Sequence, residues 1–196
     1  MHLRCAENLL HHLGRCAFAK IYVLLPQNDK GEDVMETEFK QLLQIGIIVR
    51  SVDKAVRYYE EMLGMGPWEV SYMRGDQPPT DDLRIDGKRE PGIVSKLAFL
   101  KAYGMEIELI EPIGDSAFKT WLEQHGPGIH HIAAVTNTPY EELLEKYKKE
   151  MGKAPWIRGR GIGGLMDYSF LDFREETGLI VECYKNILPD RPRLDY

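Results

Sequence analysis

The sequence predicts an α+β fold made of two βαβββ modules. Three observations carry this: an element order that occurs twice, two amphipathic helices with clear start and stop signals, and apolar strands with polar residues at equivalent places. A chain of 196 residues is long enough for two small modules sharing one core. Its 43% hydrophobic and 29% charged residues place it with folded soluble domains rather than with disordered chains. The net charge of -6 disfavours a broad grip on nucleic acid, which needs a basic face to release counterions. Cys5, Cys16 and Cys183 show neither disulfide nor zinc-finger spacing, so a reducing, cytoplasmic setting is expected. The apolar stretch Ala17 to Leu25 contains Lys20 and follows His11, His12 and Arg15, which spoils a signal-peptide core or a membrane span.

Residues 1–38 read as an extension and linker. Leu3 to Leu13 suits a short amphipathic helix and Phe18 to Leu25 a strand, but Pro26 to Glu38 is charged, contains Pro and Gly, and offers little to bury. Met35 stands just before the patterned region and is a candidate alternative start. From Leu42 to Val49 the β-branched run predicts a buried strand. Val52, Val56, Tyr59 and Leu63 then share one helical face, Ser51 is placed to cap the start, and Gly64 to end it in the left-handed conformation. Trp68 to Met73 reads as a strand, Gly75 to Gly92 as a polar excursion, and Val94 to Ala102 and Met105 to Glu111 as two further strands.

The order then returns. Ile129 to Val135 reads as a strand, and Thr138-Pro139-Tyr140-Glu141 as a helix start, with Thr as cap, Pro at the first helical position and Glu three residues after the cap. Leu143, Leu144, Tyr147 and Met151 supply the buried face and Gly152 the end. Strands follow at Trp156 to Arg160, Met166 to Phe173 and Leu179 to Tyr184, broken by the glycine-rich Gly159 to Gly164. The modules therefore span residues 42–112 and 128–185 of a domain over 39–186, with 187–196 a tail.

Aligning the copies sets Gln44 against His131 in the first strand and Glu108 against Glu182 in the last. Polar residues at matching places in apolar strands need a reason, since an unpaired buried carboxylate is costly. If the curved sheets face each other, an amide oxygen, two carboxylates and an imidazole converge on one cavity. Such a set suits one divalent ion among Mn, Co, Ni, Fe and Zn, and the absence of thiolates argues against a purely structural zinc site. Four protein ligands on an ion able to take six would leave positions open for a bidentate oxygen substrate.

The repeat, the opening Gln44-Ile-Gly-Ile-Ile-Val49, the helix end Ala55-Val-Arg-Tyr-Tyr-Glu-Glu-Met-Leu-Gly64, Glu108-Leu-Ile-Glu-Pro112, Gly128-Ile-His-His-Ile132 and Val181-Glu182 resemble the vicinal oxygen chelate (glyoxalase/bleomycin resistance/dioxygenase) superfamily. Glu108-Leu-Ile-Glu-Pro-Ile-Gly-Asp115 and Gly126-Pro-Gly-Ile-His-His-Ile132 are most similar to the methylmalonyl-CoA epimerase family. The resemblance implies modules pairing into one curved, cupped mixed sheet around a metal cavity, with Gln44, Glu108, His131 and Glu182 as ligands. It implies a metal-dependent isomerase or epimerase that moves a proton next to a carbonyl of an acyl-CoA or a 2-oxo or 2-hydroxy compound, working as a homodimer. Two departures bear on this. Gln44 stands where epimerases carry His, as in the ligand set of some glyoxalase I lyases, so a lyase is the alternative. The segment Lys88 to Lys96 does not place a glutamate in the register of the epimerase's separate catalytic carboxylate. Glu108, Glu182 and the nearby Glu90 are thus the candidate bases. A third alternative is a non-catalytic binder of a small molecule.

Of the remaining features, alternation sends His130 to the face opposite His131, where a packed or half-exposed ring is expected. Arg158-Gly-Arg160-Gly-Ile-Gly-Gly164 suits either a phosphate cradle or a plain hairpin connection. Trp68, Trp156 and Tyr168 are pocket candidates or core, and Lys146 to Lys149 reads as a solvated helix flank.

Overall fold

A computed structural model describes residues 37–78, 80–161 and 166–186, all within the compact unit Glu36–Tyr196. The expected helix at Leu3 to Leu13, the strand at Phe18 to Leu25, most of the linker, Ile162 to Gly164 of the glycine-rich stretch and the tail at 187–196 lie outside the described residues.

The first module runs β1 (Phe39–Ile48), α1 (Val52–Leu63), β2 (Glu69–Arg74), β3 (Arg84–Ile85), β4 (Lys88–Arg89), β5 (Val94–Ala102) and β6 (Met105–Pro112). After α2 (Ala117–His125), the second runs β7 (Gly128–Thr136), α3 (Tyr140–Met151), β8 (Ile157–Gly161), β9 (Met166–Phe173), α4 (Arg174–Thr177) and β10 (Leu179–Asn186). The strands form one curled mixed sheet in the order β2-β5-β6-β1-β7-β10-β9-β8-β3-β4. β1 runs parallel to β6, β7 parallel to β10, and β1 meets β7 antiparallel, joining the modules edge to edge.

Helices α1 and α3 cover the outer face. Val52 of α1 packs with Val49, Ala98 and Leu109, and Tyr140, Leu143, Leu144 and Tyr147 of α3 pack with Leu171 and Cys183. Removing each of these side chains from water contributes roughly 1.5–3 kcal/mol, which is what holds both helices on the sheet. Ser51 caps α1 through its hydroxyl, and Gly64 ends it at φ 64°, as the sequence predicts. Leu63, expected on the buried face, is exposed, because the last turn runs past the cluster that receives Val52.

Two further expectations need correction, and one helix was not foreseen. Thr138 does not cap α3; the cap position falls on Pro139 with no side-chain hydrogen bond. The carboxylate of Glu38 accepts from both the amide and the hydroxyl of Thr138, at 3.0 Å each, so that hydroxyl is already engaged. The polar excursion is not a plain loop either: β3 and β4 form a hairpin, and β3 pairs with β8 of the other module. Finally, the link between modules holds α2, whose Phe118 and Leu122 enter the inner core with Ile48, Ile110, Phe170 and Ile180.

Candidate metal centre

The inner face of the sheet is lined by alternate residues of its central strands. The pairing register shows that the repeat is spatial as well as sequential. Gln44 lies opposite Ala133 and Gly46 opposite His131, so a local two-fold axis between these pairs exchanges Gln44 with His131 and Gly46 with Ala133. Glu108 is the parallel partner of Gly46, and Glu182 that of Ala133, so the same axis exchanges the two glutamates.

All four predicted residues gather there. His131 is 1% exposed, and its Nε2 lies 3.3 Å from Glu182 Oε2 and 3.5 Å from Glu108 Oε2. Gln44 donates from Nε2 to Glu106 Oε1 at 2.7 Å. The Tyr184 hydroxyl donates to Glu182 Oε2 at 2.8 Å and stands 3.4 Å from Gln44 Oε1. Glu106, Gln44, Tyr184 and Glu182 thus make one polar chain along the cavity wall. Glu106 and Tyr184 escape the sequence reading although period-two spacing from Glu108 and Glu182 points to both.

Burial alone would lower the pKa of His131, but Glu108 and Glu182 outweigh it and raise it to about 9. Burial pushes Glu108 up against the pull of His131, and pushes Glu106 up against its bond from Gln44. Tyr184 is raised well above its ordinary value by burial and by the neighbouring carboxylate of Glu182. The cluster therefore holds protons tightly.

His130 is not on the opposite face. Ile47 pairs with Ile129 whereas Gly46 pairs with His131, so His130 is the extra residue of a β-bulge and its ring turns inward. It is buried among Phe118, Trp121, Trp156 and Phe170, with Nδ1 3.1 Å from Nδ1 of His131. Burial pushes its pKa down to about 2, so the ring is neutral.

A cavity of about 490 Å³ opens beside the cluster, lined by the polar Gln44, Glu106, Glu108, Glu182 and Tyr184 and by the apolar or aromatic Met73, Phe99, Phe118, Tyr168 and Phe170. Tyr168 is therefore a pocket residue. Trp68 instead packs on Tyr59, and Trp156 lies beneath Arg174, so neither lines the cavity. Glu90 does not line it either: it sits between β4 and β5, its amide bonded to Leu83 and its carbonyl to Ile93.

Arg160 and Tyr168 also border a smaller cleft of about 180 Å³ with Arg84 and Arg158. Arg84 is the direct cross-strand partner of both Arg89 and Arg158, a like-charge row that destabilises the sheet edge unless anions neutralise it. Asp82 pairs with Arg84 at 3.2 Å and Asp167 with Arg160 at 3.4 Å, while among the described residues no carboxylate pairs with Arg158.

The donors fit a first-row divalent ion by chemistry: one imidazole nitrogen, two carboxylates and an amide oxygen. His131 Nε2 is a buried nitrogen that faces both carboxylates at 3.3–3.5 Å without a well-aligned hydrogen bond to either. Ligands about 2.1 Å from a shared ion lie about 3–3.4 Å from one another, close to the separations seen here. As the side chains stand, no group of three or more His, Cys, Asp and Glu residues among those described is closed around an ion position.

A cupped sheet of paired βαβββ modules brings a carboxylate–imidazole cluster and a cavity together at a pseudo-two-fold interface. Residues 43–170 match the Glyoxalase/Bleomycin resistance protein/Dioxygenase superfamily, and the chain belongs to it. An uncharacterised protein, YqjC, of Bacillus subtilis (strain 168) is 29% identical over 143 residues, 72% of this chain and 89% of that one. The methylmalonyl-CoA epimerase of Mycobacterium tuberculosis superposes with a TM-score of 0.54 at 20% identity, over 79% of this chain and 93% of its own. The Streptomyces coelicolor epimerase, solved with 2-nitronate-propionyl-CoA, superposes with a TM-score of 0.53 at 20% identity, over 76% and 99%. These likenesses show the shared fold.

Proposed function

We propose that the protein is a divalent-metal-dependent isomerase or epimerase that moves a proton at the carbon next to a carbonyl, with an acyl-CoA as the preferred substrate class. The observation that carries this reading is the convergence of Glu108 and Glu182 on Nε2 of His131 across the local two-fold axis, at the wall of a cavity large enough for a small acyl group. A divalent ion held by Gln44, Glu108, His131 and Glu182 would supply electrophilic stabilisation of the negative charge that develops on a carbonyl oxygen. The chain's own groups do the rest. Apolar Met73, Phe99 and Phe170 exclude water from the acyl portion, and the Tyr184 hydroxyl orients Glu182. Glu108 and Glu182 line the cavity as candidate bases and Glu106 joins them, its pKa raised by burial. Glu90 would need to move to reach the substrate.

The arginine cleft supports the acyl-CoA class, because it shares Arg160 and Tyr168 with the cavity and offers guanidinium groups to phosphate. The test is solvent deuterium incorporation into methylmalonyl-CoA by metal-loaded protein. No exchange at the carbon next to the carbonyl would remove that substrate.

Gln44 favours a second reading, a glyoxalase I-like lyase, since its amide is held in the cluster from both ends. Turnover of the glutathione hemithioacetal of a 2-oxoaldehyde tests it. A metal-free binding role predicts no uptake of Co, Ni, Mn, Zn or Fe by elemental analysis. The expected homodimer is tested by sedimentation equilibrium.

A further inference from the structure

Neighbouring residues of a regular strand point to opposite faces, which would keep two adjacent histidine rings apart. The bulge at His130 removes that alternation and brings the two Nδ1 atoms within 3.1 Å. Ring nitrogens at that distance share one proton, so one donates and the other accepts. The direction decides what His131 can do. If Nδ1 of His131 donates, the proton that remains on Nε2 faces Glu108 and Glu182, and a cation that displaces it meets a lone pair there. If His130 donates instead, Nδ1 of His131 is bare and a neutral His131 carries its proton on Nε2, where a ligand lone pair is needed.

The surroundings of His130 select between these. Its ring stands 5.2 Å from Phe118, 5.3 Å from Trp121 and 5.5 Å from Trp156, and its Nε2 has no hydrogen-bond partner. A bare Nε2 there would be an acceptor buried with no donor to receive, whereas an Nε2–H can point at aromatic faces. The favoured neutral tautomer of His130 therefore carries its proton on Nε2 and leaves Nδ1 to accept.

We propose that His130 is a positioning residue: it accepts the Nδ1–H of His131, fixing the ring so that Nε2 faces the glutamates and is the nitrogen whose proton a cation can displace. This rests on the metal reading of that Nε2, although the direction of the hydrogen bond does not. Metal-ligating histidines ordinarily donate their second N–H to a carboxylate or carbonyl. Here a neutral imidazole supplied by a bulge takes that role, so it steadies the ring without adding negative charge behind it.

Two-bond 1H–15N correlations of the histidine rings in metal-free wild-type protein read the direction. The expected pattern is His130 protonated at Nε2 and bare at Nδ1; a proton on Nδ1 of His130 would overturn the proposal. Cobalt affinity by chelator competition supplies the second readout. H130L, which lacks an acceptor, should bind about 10–100-fold more weakly. H130N, whose Oδ1 falls near the place of Nδ1, should recover part of that loss. Equal loss in both variants, with unchanged circular dichroism, would leave His130 a packing residue only. Wild-type protein that takes up no cobalt would sink the metal reading, while the ring correlations still report the direction of the bond.

Discussion

Gly46 lies directly opposite His131 across the β1–β7 pair, and a Cβ built on Gly46 would overlap Cε1 of the imidazole. The ring occupies the space that any side chain at 46 would need, so the missing Cβ and the histidine form one structural unit. Gly46→Ala should displace His131 and destabilise the fold by about 1–3 kcal/mol, the usual cost of overpacking. Calorimetry and cobalt uptake in the same variant check this. Wild-type values for both would show that the ring has another place to go.

Glu108→Gln and Glu182→Gln preserve shape but remove the negative charge facing Nε2 of His131. Each should weaken metal binding by more than about tenfold, the lower end of what even an outer-shell loss costs. Each should also slow deuterium exchange into the substrate. Titration calorimetry with the metal separates binding from turnover; a variant that binds metal normally but exchanges no deuterium would mark its glutamate as the base alone.

In the metal-free protein, His131 has a folded pKa of about 9, above the ordinary value of 6.5. Its contribution to stability is therefore fully present below about pH 6.5 and is lost as pH rises through about 9. Thermal melts of chelator-treated wild-type protein should show Tm falling across that window, and His131→Gln should flatten the fall. A wild-type Tm constant from pH 6.5 to 9 would contradict the pairing with the two glutamates.

Tyr184→Phe removes the hydroxyl that donates to Glu182 while keeping the ring. The loss should lower kcat for proton transfer more than it changes KM, with a stability cost of about 1 kcal/mol. Steady-state kinetics and a denaturant melt decide this. A rise in KM at constant kcat would instead make Tyr184 a substrate contact.

Arg158→Ala should raise KM for a CoA thioester and leave that of the matching N-acetylcysteamine thioester unchanged, since the short thioester carries no phosphate. The variant should also be slightly more stable, because the direct Arg84–Arg158 repulsion is relieved. Equal KM changes for both thioesters would place Arg158 at the acyl group.

Much of the module pattern was legible in the sequence because its signals are local. The helix α1 is announced by Ser51, the spacing of Val52, Val56 and Tyr59, and Gly64, all within one short stretch. That the four candidate ligands stand together was legible because the repeat places Gln44 against His131 and Glu108 against Glu182, and the sheet register makes the same correspondence. Glu106 and Tyr184 stood two residues from predicted ligands on the same strand faces, a signal that was present and passed over.

The remaining features depend on atoms distant in the chain. Whether Thr138 caps its own helix is decided by Glu38, whose carboxylate reaches the hydroxyl across a hundred residues of sequence. The polar excursion becomes strand because β8 offers β3 an open edge to pair with. His130 turns inward because the β1–β7 pairing takes one extra residue at that point, and no alternation rule applied to Gly128-Ile-His-His-Ile132 alone can find a bulge. The sequence by itself determined the two modules and the four residues that meet between them, since periodicity, caps and the repeat are written in neighbouring side chains. Only the tertiary structure decided that a glycine makes room for the imidazole and that a second imidazole comes within 3.1 Å of it, because both follow from cross-strand register, which exists only once the modules have paired.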